Sequence, residues 1–253
     1  MSDKRIVPPG DAPPPHGLSE RVAEQLGREI VAGRPAPGAA MPSEFELCAR
    51  LGVSRPALRE GLRLLAAKGL IVARRKLGTT VRPQAQWNML DTAVLFWHLA
   101  AAPTDTFVNG LFELRHIVEP AVAALAAQRA TAPHLAAIAD ALGDMACAVG
   151  GAGDPVAADL RFHEAVLACA DNHFLASFGA VIESALSASF RLSWDPVARA
   201  TERSLGQHEA VLAAVRARRP EAARAAMTAL LDSAVDDVRR SLAARRQRDG
   251  DRR

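Results

Sequence analysis

At 253 residues, 49% hydrophobic and 23% charged, the chain has the size and composition of a water-soluble protein with two modest domains or one large one. No apolar run approaches the roughly 18 residues that span a bilayer, and three scattered cysteines, Cys48, Cys147 and Cys169, form no CxxC pair, which excludes a disulfide scaffold and a zinc ribbon. The net charge of +3 is unevenly spread: residues 1–83 carry 14 Lys/Arg against 8 Asp/Glu, residues 84–238 carry 10 against 18, and residues 239–253 carry 7 against 2, so a basic end suited to a polyanion is joined to an acidic body.

Residues 1–17 hold five prolines and read as a disordered lead without the apolar stretch of a signal peptide, which points to a cytoplasmic protein. In LSERVAEQLGREIVAG, Val22, Leu26 and Ile30 recur every four residues and predict a helix. Ser43 and Glu46 have the spacing of a capping box at the start of a second helix. Gly52 can end that helix in the left-handed conformation, and Ser54 can cap a third, with Pro56 tolerated in its first turn. Two helices across so short a turn have the spacing of a helix-turn-helix. Leu58, Leu62 and Leu65 line the inner face of the third helix, while Arg55, Arg59 and Arg63 share another.

LIVARRKLGTTVRP then predicts two short strands, Leu70–Arg74 and Thr79–Arg82, around a basic turn containing Lys76 and Gly78. A basic hairpin directly after a helix-turn-helix is a wing. Residues 84–95 read as a linker, residues 96–245 as a run of helices broken at prolines, glycines and Asp-Asn, and residues 246–253 as a basic tail. The cysteines read as small buried hydrophobes. The fold class expected is mainly α, a winged helix-turn-helix followed by an all-α bundle. Arginine near the start of a recognition helix is the usual reader of guanine, through its planar fork.

Residues 18 to 83, with PGAAMPSEFELCARLGVSRPALREGLRLLAAKGLI and the wing LGTTV, resemble the winged helix of the GntR family. The runs ELRHIVEPAVAALAAQRA, DLRFHEAVLACADNHFL and SLGQHEAVLAAVRARRPEAARAAM resemble the ligand-sensing (FCD) domain of its FadR-like subfamily. The resemblance implies a homodimeric repressor that binds a double-stranded DNA operator under control of a small carboxylate effector, a sugar acid such as galactonate. It implies DNA contacts from Ser43, Ser54, Arg55, Pro56 and Arg59, and from Arg74, Lys76, Gly78 and Thr79 in the wing. Where many members carry Arg after the capping-box Glu, this chain has Phe45, expected here to be a core residue.

The resemblance further implies a divalent metal, zinc with nickel or manganese as alternatives, held by Asp159, His163 and His208. Asp159 and His163 are four apart and share a helix face, where a plain ion pair is the competing reading. The family's fourth ligand, a His, is assigned to Ala229 in the run Met227-Thr228-Ala229-Leu230 and is therefore missing. The effector is expected against Arg115, Glu119, Arg191 and Trp194, with an intrahelical Arg115–Glu119 pair as the alternative. Two other readings stay open: a metal-dependent enzyme built on the same three ligands, and a constitutive DNA-binding dimer that senses nothing.

Overall fold

The apolar spacing in residues 18–31 produces helix α1 (Leu18–Val31) in the computed structural model, with Val22, Leu26 and Ile30 all within 2% exposure. The structure describes residues 17–74, 78–101, 105–176, 178–179, 181–182 and 202–250. Ser43 and Glu46 form the expected reciprocal capping box at the start of α2 (Glu44–Leu51), and Gly52 ends it at φ 66°. Ser54 occupies the cap position of α3 (Arg55–Ala67) but its side chain makes no capping bond, so the capping predicted for it is not found. Leu58 and Leu65 are fully buried, packing α3 across α1. Strands β1 (Ile71–Arg74) and β2 (Gly78–Val81) pair antiparallel in the register Ile71 to Val81.

Phe45 is a correction: its side chain is 72% exposed. It falls two residues before Leu47, which is the side chain α2 buries, and two residues is about 200° around a helix. It therefore points away from the core. Cys147 is a second correction, being exposed, while Cys48 is half-buried and Cys169 buried.

Two compact units divide between Pro103 and Thr104. That boundary lies beyond the expected linker, because helix α4 (Thr92–Ala100) packs on α1 and belongs with the winged helix. Val94 and Trp97 join the same hydrophobic cluster as Leu26 and Leu58. The Trp97 ring lies so close to Gly27 that a Cβ there would come within 2.3 Å of it. Asp91 caps α4 from its N-terminus and also binds Lys68 of the segment after α3, with Nζ at 2.8 Å.

The second unit is helical among its described residues. It comprises α5 (Asp105–Arg129), α6 (Ala132–Val149), α7 (Pro155–Ala168), the short α8 (His173–Ala176), α9 (Glu202–Arg216) and α10 (Pro220–Gly250). α5 packs against α10, α6 against α7, and α9 against both α10 and α6. Its core is built largely from small side chains, among them Ala123, Ala126, Ala127, Ala158 and Ala223, with Phe162 and Leu231 as larger fillers. Small residues let helices approach closely, so polar groups carried on adjoining helices can meet. Among the described residues no helix is long and apolar enough to cross a membrane.

Two tests follow from the α1–α4 contact. Gly27→Ala should lower the thermal midpoint of unfolding, by roughly 1–3 kcal/mol of overpacking, although the same change in an exposed helix stabilises. His98 in α4 is 8% exposed, and burial lowers its pKa to about 4. The unfolded chain therefore takes up a proton at this group first as pH falls, near its ordinary value of about 6.5. Stability is fully present above that value and is lost progressively toward pH 4, on the order of 2–3 kcal/mol. Denaturation midpoints between pH 7 and 4 should show this loss, and His98→Phe should flatten it.

Candidate DNA-reading helix and buried metal and anion site

In the first unit, Ser54, Arg55 and Pro56 are exposed at the start of α3. Arg59 is one turn further on, 68% exposed, with its Nε donating to Glu44 at 3.0 and 3.3 Å. Glu44 thus ties the first helix of the helix-turn-helix to the second and fixes one edge of the Arg59 guanidinium. That role was not read from the sequence; nothing but the fold brings residues fifteen apart together. Ser43 spends its hydroxyl on the capping box, donating to Glu46 at 2.8 Å and accepting from the Glu46 N–H at 3.3 Å. In the wing, Arg74 is exposed and pairs in register with Gly78, whose φ of 81° suits only glycine. Thr79 pairs with Ala73, and its carbonyl accepts from Met41 N–H at 2.8 Å. Lys76 lies outside the described residues.

The second unit gathers five ionisable residues from three helices. α5 presents Arg115 and Glu119 one turn apart, α7 presents Asp159 and His163 in the same relation, and α9 contributes His208. The side chains of Arg115, Glu119, His163 and His208 are 1–3% exposed and that of Asp159 is 17%. Glu119 Oε1 accepts from Arg115 Nε at 2.5 Å, and its Oε2 lies 3.4 Å from Arg115 Nη2 and 2.6 Å from His163 Nδ1. Asp159 Oδ1 lies 2.9 Å from His208 Nε2 and 3.8 Å from His163 Nε2. Phe162 packs edge-on against both imidazoles, at 4.7 Å from His208 and 5.8 Å from His163. Arg191 and Trp194 lie outside the described residues.

Burial by itself raises both carboxyls. For Asp159 the close approach of His208, with His163 and Arg115 nearby, outweighs this and holds it at about 2. For Glu119, Arg115 and His163 outweigh burial and bring it to about 2. Both are therefore ionised at neutral pH.

The donor set fits a divalent ion. One ligand atom each from Asp159, His163 and His208 lie within 4.8 Å of one another. Two atoms bound to one ion at about 2.1 Å stand about 3–3.5 Å apart, between the 2.9 and 3.8 Å separations from Asp159. The close contact of His208 Nε2 with Asp159 is not aligned as a hydrogen bond, as expected of lone pairs aimed at a common third point. His208 Nδ1 lies 2.7 Å from the Ser204 carbonyl, which can only accept, so Nδ1 carries a proton and, in the neutral ring, Nε2 is left with its lone pair. An imidazole whose other nitrogen is held by a carbonyl or carboxylate is the usual form of a metal-binding histidine.

The position assigned to the absent fourth ligand needs correcting. Ala229 is exposed, on the outer face of α10. Counting M-x-x-H from Met227 reaches residue 230, and Leu230 is 4% exposed in the same core cluster as Phe162. A leucine therefore stands at the inward-facing place, and it cannot ligate.

The model for bacterial regulatory proteins of the gntR family matches residues 18–81, and the FCD domain model matches residues 110–233. The chain is 38% identical over 219 residues to the galactonate operon transcriptional repressor of Escherichia coli K12, covering 85% of this chain and 94% of that protein. It is 32% identical over 219 residues to the HTH-type transcriptional regulator YieP of the same organism, covering 85% and 93%. Among solved structures it shares the fold of Lar of Listeria monocytogenes, with a TM-score of 0.62 at 18% identity, covering 88% of this chain and 97% of that one. A winged helix-turn-helix, followed by helices that bury Arg115, Glu119, Asp159, His163 and His208 together, thus belongs to the GntR family of transcription regulators with an FCD domain, and is not an enzyme.

Proposed function

We propose that the chain is a homodimeric repressor whose α3 reads an operator half-site and whose buried cluster holds a divalent metal and a sugar-acid effector. The reading of α3 rests on Ser54, Arg55, Pro56 and Arg59 standing exposed at its first turns, with Glu44 steering Arg59. Arg74, Lys76, Gly78 and Thr79 of the wing take the backbone or the minor groove.

The observation that carries the sensing half is a pair of buried polar atoms with no hydrogen-bond partner: Arg115 Nη1 and His208 Nε2. A buried polar atom left unpaired costs on the order of 1–3 kcal/mol, and two in one cluster mark a place where a ligand is expected. With neutral imidazoles the protein groups bring two negative charges, Asp159 and Glu119, against one positive charge from Arg115. The pocket alone thus repels an anion. A divalent ion held by Asp159, His163 and His208, zinc or else nickel or manganese, reverses that sign and supplies coordination positions for carboxylate and hydroxyl oxygens. Arg115 Nη1 remains to pair with the effector carboxylate. Leu230 in place of a fourth ligand offers no donor atom, so the coordination position it would have filled is left to the effector. The similarity to a galactonate operon repressor points to an aldonate such as galactonate. Differential affinity for one arrangement of the bundle would then release the operator.

Two experiments test this. In gel-shift titrations Arg55→Ala and Arg59→Ala should each weaken operator binding by roughly 1–3 kcal/mol, and affinity should fall steeply with salt. A double variant that binds as wild type overturns the assignment of α3. For the sensing half, calorimetry should show galactonate binding that is lost when a chelator strips the metal. Leu230→His should tighten zinc and weaken galactonate, whereas Ala229→His should change neither. Undiminished galactonate affinity in metal-free protein overturns direct coordination.

A further inference from the structure

Glu119 sits where an effector contact is expected, yet neither of its oxygens is free to serve as one. Oε1 is taken by Arg115 Nε at 2.5 Å, and Oε2 lies between Arg115 Nη2 at 3.4 Å and His163 Nδ1 at 2.6 Å. An anionic effector brought against this buried carboxylate would meet like charge in a medium that screens it little. What the carboxylate does instead is join two helices: its own neighbour Arg115 on α5 and His163 on α7.

The His163 contact decides a tautomer. Oε2 lies off the direct line of the ring N–H, so the contact is not an aligned hydrogen bond. At 2.6 Å a bare Nδ1 lone pair would face an oxygen lone pair inside the core, and only a proton on Nδ1 relieves that repulsion. Nε2, the atom on the Asp159 side, is then the one with a lone pair. His208 is also protonated at Nδ1, donating to the Ser204 carbonyl at 2.7 Å; in the neutral ring its Nε2 holds a lone pair 2.9 Å from Asp159, a repulsion that a cation between the two would relieve. Two imidazoles from two helices thus present Nε2 toward one carboxylate, each held from behind by an oxygen acceptor.

The Arg115 contact decides a direction. A guanidinium offers five N–H donors in a rigid plane. Glu119 covers the Nε and Nη2 edge, and Nη1 is the nitrogen that stays buried without a partner.

We propose that Glu119 is a positioning residue: it fixes the Nδ1–H tautomer of His163, making Nε2 the ligating atom, and locks the Arg115 fork with Nη1 as the arm left for the effector carboxylate. The metal and effector parts of this rest on the function proposed above; the tautomer part stands without them.

The test uses the full chain with 15N-labelled histidine. In metal-free wild type, long-range 1H–15N correlation should show His163 and His208 protonated at Nδ1 and bare at Nε2. Glu119→Ala should lose that pattern at His163 and keep it at His208. Competition with a chromophoric chelator should then show zinc binding weaker by roughly 10–100-fold, the range for losing such a partner. Glu119→Gln retains one acceptor oxygen and should fall between wild type and Glu119→Ala. Wild-type His163 protonated at Nε2 overturns the proposal. So does Glu119→Ala that stays folded and binds zinc as tightly as wild type. If Glu119→Ala does not fold, the wild-type spectrum and the Glu119→Gln affinity decide. If wild type binds no zinc but shows the Nδ1 pattern, lost in Glu119→Ala, the metal reading falls and the positioning role stands.

Discussion

The second unit is organised around the burial of ionised carboxylates, and the rest of its architecture answers to that. Asp159 and Glu119 lie inside an alanine-rich bundle, where an isolated charge is costly to desolvate. Each lies against polar groups from its surroundings: Glu119 against Arg115 and His163, and Asp159 against His208. Truncating one partner would strand a charge, so the three helices α5, α7 and α9 are mutually dependent. Small side chains such as Ala126 and Ala158 allow the backbones close enough for interhelical contacts of 2.6–2.9 Å to form.

The first unit solves a different problem with exposed groups. Arg59 is held without being buried, by Glu44 from the adjacent helix at 3.0 Å. An exposed pair of this kind contributes little to stability; its value is in orienting a guanidinium. The capping box at Ser43 and the left-handed Gly52 fix the turn that sets α2 against α3. Trp97 against Gly27 then attaches α4 to this unit, so the change from wing to bundle comes after α4 and not before it.

Much of this was legible in the residues, and the limits have a common cause. Periodicity and punctuation located the helices and the wing, since caps, Gly turns and alternation act locally. The i, i+4 pairs Arg115/Glu119 and Asp159/His163 were also local. Their joining through a Glu119–His163 contact was not, because residues 44 apart meet only through packing. Phe45 reads as core by composition alone, but two residues from buried Leu47 it has to point outward. The Ala229 reading failed by one residue, and on a helix one residue is about 100°, enough to exchange an exposed alanine for a buried leucine.

The charge distribution gives these local contacts their weight. Residues 84–238 carry 18 acidic against 10 basic side chains, so this stretch presents an anion with a net repulsive field. That field is screened over about 8 Å at physiological salt. The buried groups are screened far less. For the proposed acidic effector, selectivity is then decided over a few ångströms, by the sign of the charge at Asp159, Glu119 and Arg115. Residues 1–83, with 14 basic against 8 acidic side chains, are suited instead to DNA. An alanine-rich interior that holds its polar groups at fixed positions thus serves the proposed anionic effector, while the basic residues of 1–83 serve DNA, so the two anions are met by different parts of the chain.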